Sequence, residues 1–362
     1  ASGIAVPRVL AGQDEFAKPQ VLADLIESTR REHEIPALSV AIARHGQIVY
    51  RAAFGEAAPG EPCTPEHRFR LASVSKPITS VVLHRLFEQG RVKPEDRVFG
   101  PNGCLAQVPA PNPAHREITI HHLLTHTSGG WGNKKNDPMF QKSAMNHEEL
   151  IAWTLRAVPL EARPGERFAY SNFGYCLLGR VIEAITGETY EAATRRLVLA
   201  PSGAEAMTLA GTTRAERQPG EVVYHDAQNE DPYRPGLNLR RMDAHGGWLA
   251  SAEEVVRFMI HTDGHPGAED LLKPETLRAM TTPTTAGPGY ARGWNVNARS
   301  NWWHSGSLPG TSTLVVRTPS GLCWAVLANG RRRNPQQPDR NTGVVLDRLM
   351  WRVVRSVPEW QA

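Results

Sequence analysis

Ser73 and Lys76 stand three residues apart in the stretch Leu71-Ala72-Ser73-Val74-Ser75-Lys76-Pro77. On a helix that spacing puts both side chains on one face, where hydroxyl and amine can touch. A serine hydroxyl is a poor nucleophile until a base takes its proton. A lysine can take it only if burial or neighbouring positive charge brings its pKa down toward neutrality. The pair is therefore a compact candidate for acyl transfer through a covalent serine intermediate. About one such pair is expected by chance in a chain of this length, so the pair alone decides nothing.

Two more short motifs follow in order, Tyr170-Ser171-Asn172 and His304-Ser305-Gly306. Each pattern is weak by itself and more often structural than chemical. Their order and their settings make them informative together. The first motif opens a helix, the second lies where a loop runs into a helix, and the third lies in a strand.

The elements that must position these residues can be read from periodicity. Val21 to Arg31 carries a helical stripe ended by Pro36. Ala37 to Ala43 and Gln47 to Phe54 read as a hairpin across His45-Gly46. The Ser73 helix has Val74, Ile78, Val81, Val82, Leu86 and Phe87 as its apolar positions, and Gly90 stops it. Pro77 is tolerated because first-turn amides have no partner within the helix. That helix N-terminus also favours negative charge developing at Ser73. Residues 91–117 read as loop, Ile118 to Thr125 as helix, 131–146 as a mobile stretch and Glu148 to Ala157 as helix. A long helix runs from Asn172 to Gly187 and another from Tyr190 to about Leu199. Residues 201–243 are polar and rich in turn residues, with no assignable element. Ser251 and Glu254 form a capping box for a helix to His261, and Glu275 to Met280 is a short helix. Ala291–Val296, Asn301–His304, Ser312–Thr318 and Cys323–Asn329 read as antiparallel strands. A helix from Thr342 to Val354 closes the chain.

Strands near both ends and helices between them imply an α+β fold. One antiparallel sheet is built from both chain ends and flanked by helices, with a mostly helical domain inserted. The expected division is 1–90 with 245–362 for the sheet domain and 91–244 for the insertion, with the site in the cleft between them.

The chain has 362 residues, 40% hydrophobic and 22% charged, an ordinary globular composition with material for a large core. Its net charge of +4 is scattered apart from Arg331-Arg332-Arg333. That run sits among Pro, Asn and Gln and reads as a solvated loop, which argues against a nucleic-acid partner. No apolar run is long enough to span a membrane. The chain begins Ala1-Ser2 without methionine, as it would after loss of a leader or with an artificial start. A periplasmic or secreted setting is favoured over the cytoplasm. Of the four cysteines, Cys176 and Cys323 fall in apolar segments, while Cys63 and Cys104 lie in loops and could pair in an exported protein, a pairing that the sequence leaves open. Cys-x-x-Cys is absent, and His122 and His126 lack the glutamate of a metalloprotease helix, so no metal and no cofactor is expected.

The three motifs, in this order, resemble the serine β-lactamase and DD-peptidase superfamily, specifically its class C β-lactamase-like branch. That branch includes D-alanyl-D-alanine carboxypeptidases, D-aminopeptidases and β-lactamase-like carboxylesterases. The likeness runs from about residue 35 to about 355. It extends to Leu123-Leu124-Thr125-His126-Thr127-Ser128-Gly129, to Phe173-Gly174-Tyr175 and to Gly246-Gly247-Trp248-Leu249-Ala250-Ser251-Ala252-Glu253. The resemblance implies the β-lactamase/transpeptidase fold and a role for each motif residue. Ser73 would attack the acyl carbon, with Lys76 as proton acceptor or electrostatic partner. Tyr170 would lie close to both, its phenol pKa lowered from about 10 by the Lys76 charge so that it shares proton transfer. Either of the two can be the base. Asn172 would orient Lys76 and bond the substrate amide. The backbone amides of Ser73 and Ser307 would form the oxyanion hole. Gly306 would let substrate lie close along the strand edge.

Two departures bear on substrate. His304 stands where many relatives carry lysine, which weakens the positive charge that greets a substrate carboxylate near neutral pH. Ser305 stands in place of threonine. The expectation is a serine hydrolase acting on a small ester or a peptide, including one with a D-configured residue. A class C-type β-lactamase, an acyltransferase to a non-water acceptor and a non-catalytic penicillin-recognising scaffold are the alternatives. Trp131 is expected to line the acyl pocket or to serve as a core aromatic. Of Trp302 and Trp303, alternation sends one to the core and one to the cleft. Asp243 and His245 are read as structural.

Overall fold

The computed structural model describes residues 19–360, the side chains of residues 135 and 136 excepted; the extended lead-in expected over residues 1–18 lies outside them. Ala37–Arg44 (β1) and Gln47–Ala58 (β2) form the hairpin, with His45 and Gly46 at positive φ of 47° and 78°. Such a turn matches the right-handed twist of its strands. The chain adds Glu61–Pro62 (β3), leaves the sheet, and returns far downstream. Asn295–Val296 (β4), Trp302–Leu308 (β5), Thr311–Arg317 (β6) and Leu322–Ala328 (β7) complete a seven-stranded antiparallel sheet in the order β3-β2-β1-β7-β6-β5-β4. The two chain ends meet in the β1–β7 ladder, which runs from Leu38 opposite Ala328 to Arg44 opposite Leu322.

Of the helices Pro19–Glu32 (α1), Ser75–Glu88 (α2), Asn172–Thr186 (α3), Ala252–Ile260 (α4) and Thr342–Arg355 (α5), α1, α4 and α5 pack on this sheet, while α2 and α3 pack on each other. The central strands are buried on both faces, and alternation sorts their residues by size. Leu38, Val40, Ile42, Trp324 and Val326 face α1 and α5. Ala37, Ala41, Ala43 and Ala325 face the other side, where small side chains let α4 come close. Helix α2 is buried on nearly every side, and its buried polar side chains Lys76, Thr79 and His84 each hydrogen-bond a neighbour. Ser251 caps α4 as its sequence implies, its Oγ accepting from the Glu254 amide at 3.2 Å while Glu254 accepts from the Ser251 amide at 2.8 Å.

Three segments depart from the sequence reading. Of Ala291–Val296, only Asn295 and Val296 pair as strand. Gly293 turns at φ 90°, and a Cβ there would sit 2.6 Å from the Ser80 side chain, so this backbone is pressed onto α2 instead. The stretch 131–146 holds two short helical turns, Asn133–Asn136 and Pro138–Phe140. Residues 201–243 carry short strands. Thr208–Leu209 pairs with Trp248–Ala250, which pairs with Phe69–Arg70, and His225–Asp226 runs parallel to Gly330–Arg331. Cys63 and Cys104, whose pairing the sequence leaves open, are not joined: all four cysteines are free, with Cys63 buried.

Candidate active site

The nucleophile turn is held from two sides. The Leu71 amide donates to the Trp248 carbonyl at 2.8 Å, and Thr313 Oγ1 of β6 donates to the Leu71 carbonyl at 2.8 Å. Between these anchors the chain bends sharply, Ala72 adopting a positive φ of 49°. A buried alanine takes that conformation at a cost and needs its surroundings to hold it. The bend leaves Ser73 partly exposed in a 3₁₀ turn, Ala72–Val74, that runs straight into α2.

One helical turn on, Lys76 is fully buried. Its Nζ donates to Ser73 Oγ at 3.2 Å, to Asn172 Oδ1 at 2.8 Å and to the His245 carbonyl at 3.2 Å. All three protons have acceptors, so the amine is aimed. Burial pushes its pKa down to about 7, against an opposing pull from the Asp137 carboxylate. Near neutral pH the amine can therefore take the hydroxyl proton of Ser73.

Ser171 caps α3, accepting from the Gly174 amide at 3.0 Å, and this puts Asn172 at the first helical position with its side chain at Lys76. Tyr170, just outside the helix, is hydrogen-bonded through its hydroxyl to Ser73. Lys76 Nζ lies 4.6 Å from the centre of its ring, and the His126 ring lies 4.3 Å from it on centroids. The expected lowering of the Tyr170 pKa is reversed. Enclosure of the hydroxyl raises it above the ordinary phenol value, more than the Ser73 hydrogen bond lowers it. Tyr170 is thus a neutral phenol beside a neutral or singly charged amine.

His304 on β5 is buried and faces the same side. Its Nδ1 lies 2.8 Å from the Ser305 carbonyl and so carries the proton; its Nε2 accepts from the Tyr290 hydroxyl at 3.2 Å. Burial and the Lys76 charge push its pKa down to about 3, so it brings no positive charge to the site. Gly306 points the same way, into the nucleophile turn: a Cβ there would lie 2.2 Å from the Leu71 carbonyl oxygen and 2.2 Å from Thr313 Oγ1. Its lack of a side chain lets β5 close on that turn. Ser305 and Ser307 alternate to the opposite face and line a second cavity of about 520 Å³ between β5 and α5. Ser307 also borders the Ser73 cavity, which leaves its backbone beside the nucleophile. Beyond Trp302 and Trp303 the edge of β5 has no partner strand from β4. Trp302 packs in the core under Arg317, and Trp303 lines the second cavity.

Trp131 is corrected to a core residue. It is 2% exposed, packs edge-on against Phe173 and donates its indole N–H to the Val158 carbonyl, away from the Ser73 cavity. That cavity, about 300 Å³, is lined by Ser73, Asn133, Asp137, Asn172, His245 and Ser307 among others. Asp137 and Tyr290 belong to the site and carry no motif; a tertiary contact alone brings each there. His126 accepts from the Ser171 amide at 3.1 Å and His122 caps its own helix, so the two histidines are engaged separately.

The arrangement has relatives. Esterase EstB of Burkholderia gladioli is 30% identical over 318 residues, 75% of this chain and 77% of its own. Protein flp of Staphylococcus aureus (strain MW2) is 24% identical over 324 residues; the match spans 86% of this chain and 63% of that longer protein. The solved structure of D-amino acid amidase from Ochrobactrum anthropi SV3 with L-phenylalanine amide superposes with a TM-score of 0.75 at 21% identity, covering 94% of this chain and all of that one. The Beta-lactamase family model matches residues 22–348. With the sheet, the nucleophile turn and the three motifs in this arrangement, the chain belongs to the beta-lactamase family, within the serine β-lactamase and transpeptidase superfamily.

Proposed function

We propose that this protein is a serine hydrolase that cleaves carboxylic esters through an acyl-enzyme on Ser73. The observation that carries the reading is the buried Lys76 amine, 3.2 Å from Ser73 Oγ with a pKa near neutrality. Neutral Lys76 takes the Ser73 proton as Oγ attacks the ester carbonyl carbon. The oxyanion is met by backbone N–H groups of Ser73 and Ser307. The tetrahedral intermediate collapses, the C–O bond to the alcohol breaks, and the alkoxide takes a proton relayed from Lys76 through the Tyr170 hydroxyl. Water then attacks the acyl carbon as the same pair accepts its proton; the bond from Ser73 Oγ to the acyl carbon breaks, Oγ takes that proton back, and the carboxylic acid leaves.

The state of His304 favours an ester over a carboxylate-bearing β-lactam. It is neutral, buried and already engaged at both ring nitrogens, so nothing at that position draws a substrate anion. The likeness to esterase EstB supports the same choice.

The test is turnover of p-nitrophenyl butyrate against turnover of a chromogenic cephalosporin, with intact-mass detection of adducts. Ester turnover, a butyryl adduct on the wild type and loss of both in Ser73→Ala are expected. Fast cephalosporin turnover would favour a β-lactamase instead. Adducts released only by an added alcohol or amine would mean an acyltransferase, and no reaction with either reagent a scaffold.

A further inference from the structure

Asp137 lies in the stretch whose sequence carries no motif, yet its carboxylate borders the Ser73 cavity. Its Oδ2 accepts from Asn172 Nδ2 at 2.7 Å, and its Oδ1 accepts from the Met139 amide at 3.0 Å. The segment that presents it is anchored by the buried Arg241, which donates to the Met139 and Met145 carbonyls, each at 2.6 Å. Asn172 also ties its own amide to Asn133 Oδ1 at 2.9 Å, so the two segments are joined by main chain and side chain.

The consequence lies in the Asn172 side chain. In its protonated state Lys76 offers only donors, so it needs the amide oxygen; the carboxylate offers only acceptors, so it needs the amide nitrogen. The amide is fixed from both ends. With Asp137 gone, a half-turn about χ2 would present an NH₂ to the lysine, donor against donor.

The surroundings of Lys76 make the charge of Asp137 matter as well. The groups facing the amine are the rings of Tyr170 and Tyr175, the buried imidazoles of His126, His245 and His304, Ser73, Asn172 and Asp137. Burial holds the three histidines below their ordinary pKa and the two tyrosines above theirs, so all five are neutral near pH 7. Among the described residues Asp137 is the acidic side chain acting on Lys76, while Asp137 itself faces Lys76 and Arg241.

Building on the proposed Ser73 chemistry, we infer that Asp137 is a positioning residue: through Asn172 it fixes the acceptor that aims Lys76, and its charge favours the protonated amine. Without it the buried amine would be a weaker base and would take the Ser73 proton less readily.

The test is the rate of Ser73 modification by an aryl phosphonate ester, followed from about pH 5 to about pH 9, where the acid-side midpoint reports the lysine. The set is the wild type, Ser73→Ala, Asp137→Asn and Asp137→Glu, with thermal melts to check folding. In Asp137→Asn the midpoint should fall by about one pH unit. In Asp137→Glu it should stay while the rate drops about tenfold, because the charge remains and the geometry does not. An unmoved midpoint in folded Asp137→Asn overturns the inference and leaves the Ser73 reading standing. If that variant does not fold, Asp137→Glu decides: a wild-type rate overturns the inference. Failure of the wild type to react at Ser73 overturns both readings together.

Discussion

Lys76 shows how much of a residue's chemistry its neighbours supply. The three-residue spacing to Ser73 is in the sequence; the depth of burial that brings the amine to about 7 is a property of the folded chain. The sign of the pH dependence follows. The neutral amine is the base, so kcat/KM for an ester should rise with pH through about 7, the Lys76 value, and not near the value of a solvated lysine. A pH–rate profile with p-nitrophenyl butyrate checks this. Tyr170→Phe keeps the ring against His126 and Lys76 but removes the hydroxyl that meets Ser73. It should lower kcat/KM by about 10²–10³-fold with the melting temperature unchanged. Ser73, Lys76, Tyr170 and Asn172 were legible because each belongs to a local motif. Asp137 and Tyr290 were not, since nothing in their own neighbourhoods marks them. The direction of the Tyr170 shift is not legible for a related reason: a nearby charge can be inferred from a motif, while desolvation cannot.

At the level of elements, the strands β5 and β6 and the nucleophile turn are one unit, joined by Gly306 of β5 against Leu71 and by Thr313 of β6 on the Leu71 carbonyl. The family resemblance implies that Gly306 lets substrate lie close along the strand edge; on the side its Cβ would occupy, the Leu71 carbonyl and the Thr313 hydroxyl already fill the space. Gly306→Ala should therefore destabilise the fold by about 1–3 kcal/mol, because its methyl must displace the Leu71 carbonyl or the Thr313 hydroxyl. Urea denaturation of the variant measures this, and an unchanged midpoint would return Gly306 to a role in substrate access alone. Helices with caps and stripes, α3 and α4 above all, were readable because their signals are local. The segment 291–294 was not. Its composition suits a strand, but the contact of Gly293 with Ser80 on α2 decides its path, and that contact spans more than two hundred residues of chain.

Over the whole molecule, the N- and C-terminal parts of the described chain meet in one sheet, and buried arginines tie the irregular segment 201–243 to the strand before Ser73 and to the chain that follows β7. The joining of the ends was readable from the distribution of strands. The arginines were not, because a charged residue in a turn-rich stretch reads as solvated. Arg331 pairs with Asp226 at 2.7 Å and with Glu230 at 2.7 Å. Arg70 is fully buried between the rings of Tyr224 and Tyr233, with its guanidinium carbon 4.3 and 4.4 Å from their centres. It donates to the Pro232 carbonyl at 2.7 Å and lies 3.6 Å from the equally buried Glu221 carboxylate. Glu221 in turn accepts from the Tyr224 hydroxyl at 2.8 Å. This cluster clamps the strand leading into Ser73 onto the segment that follows the helical region. Arg70→Met leaves the Glu221 charge buried without its partner and should cost about 3–5 kcal/mol in urea denaturation. Adding Glu221→Gln removes the stranded charge but keeps an acceptor for Tyr224, so the double variant should recover a large part of that loss. A double variant no more stable than Arg70→Met would mean that the cost lies in the lost stacking on Tyr224 and Tyr233, and that Arg70 works as a flat spacer between two aromatic rings.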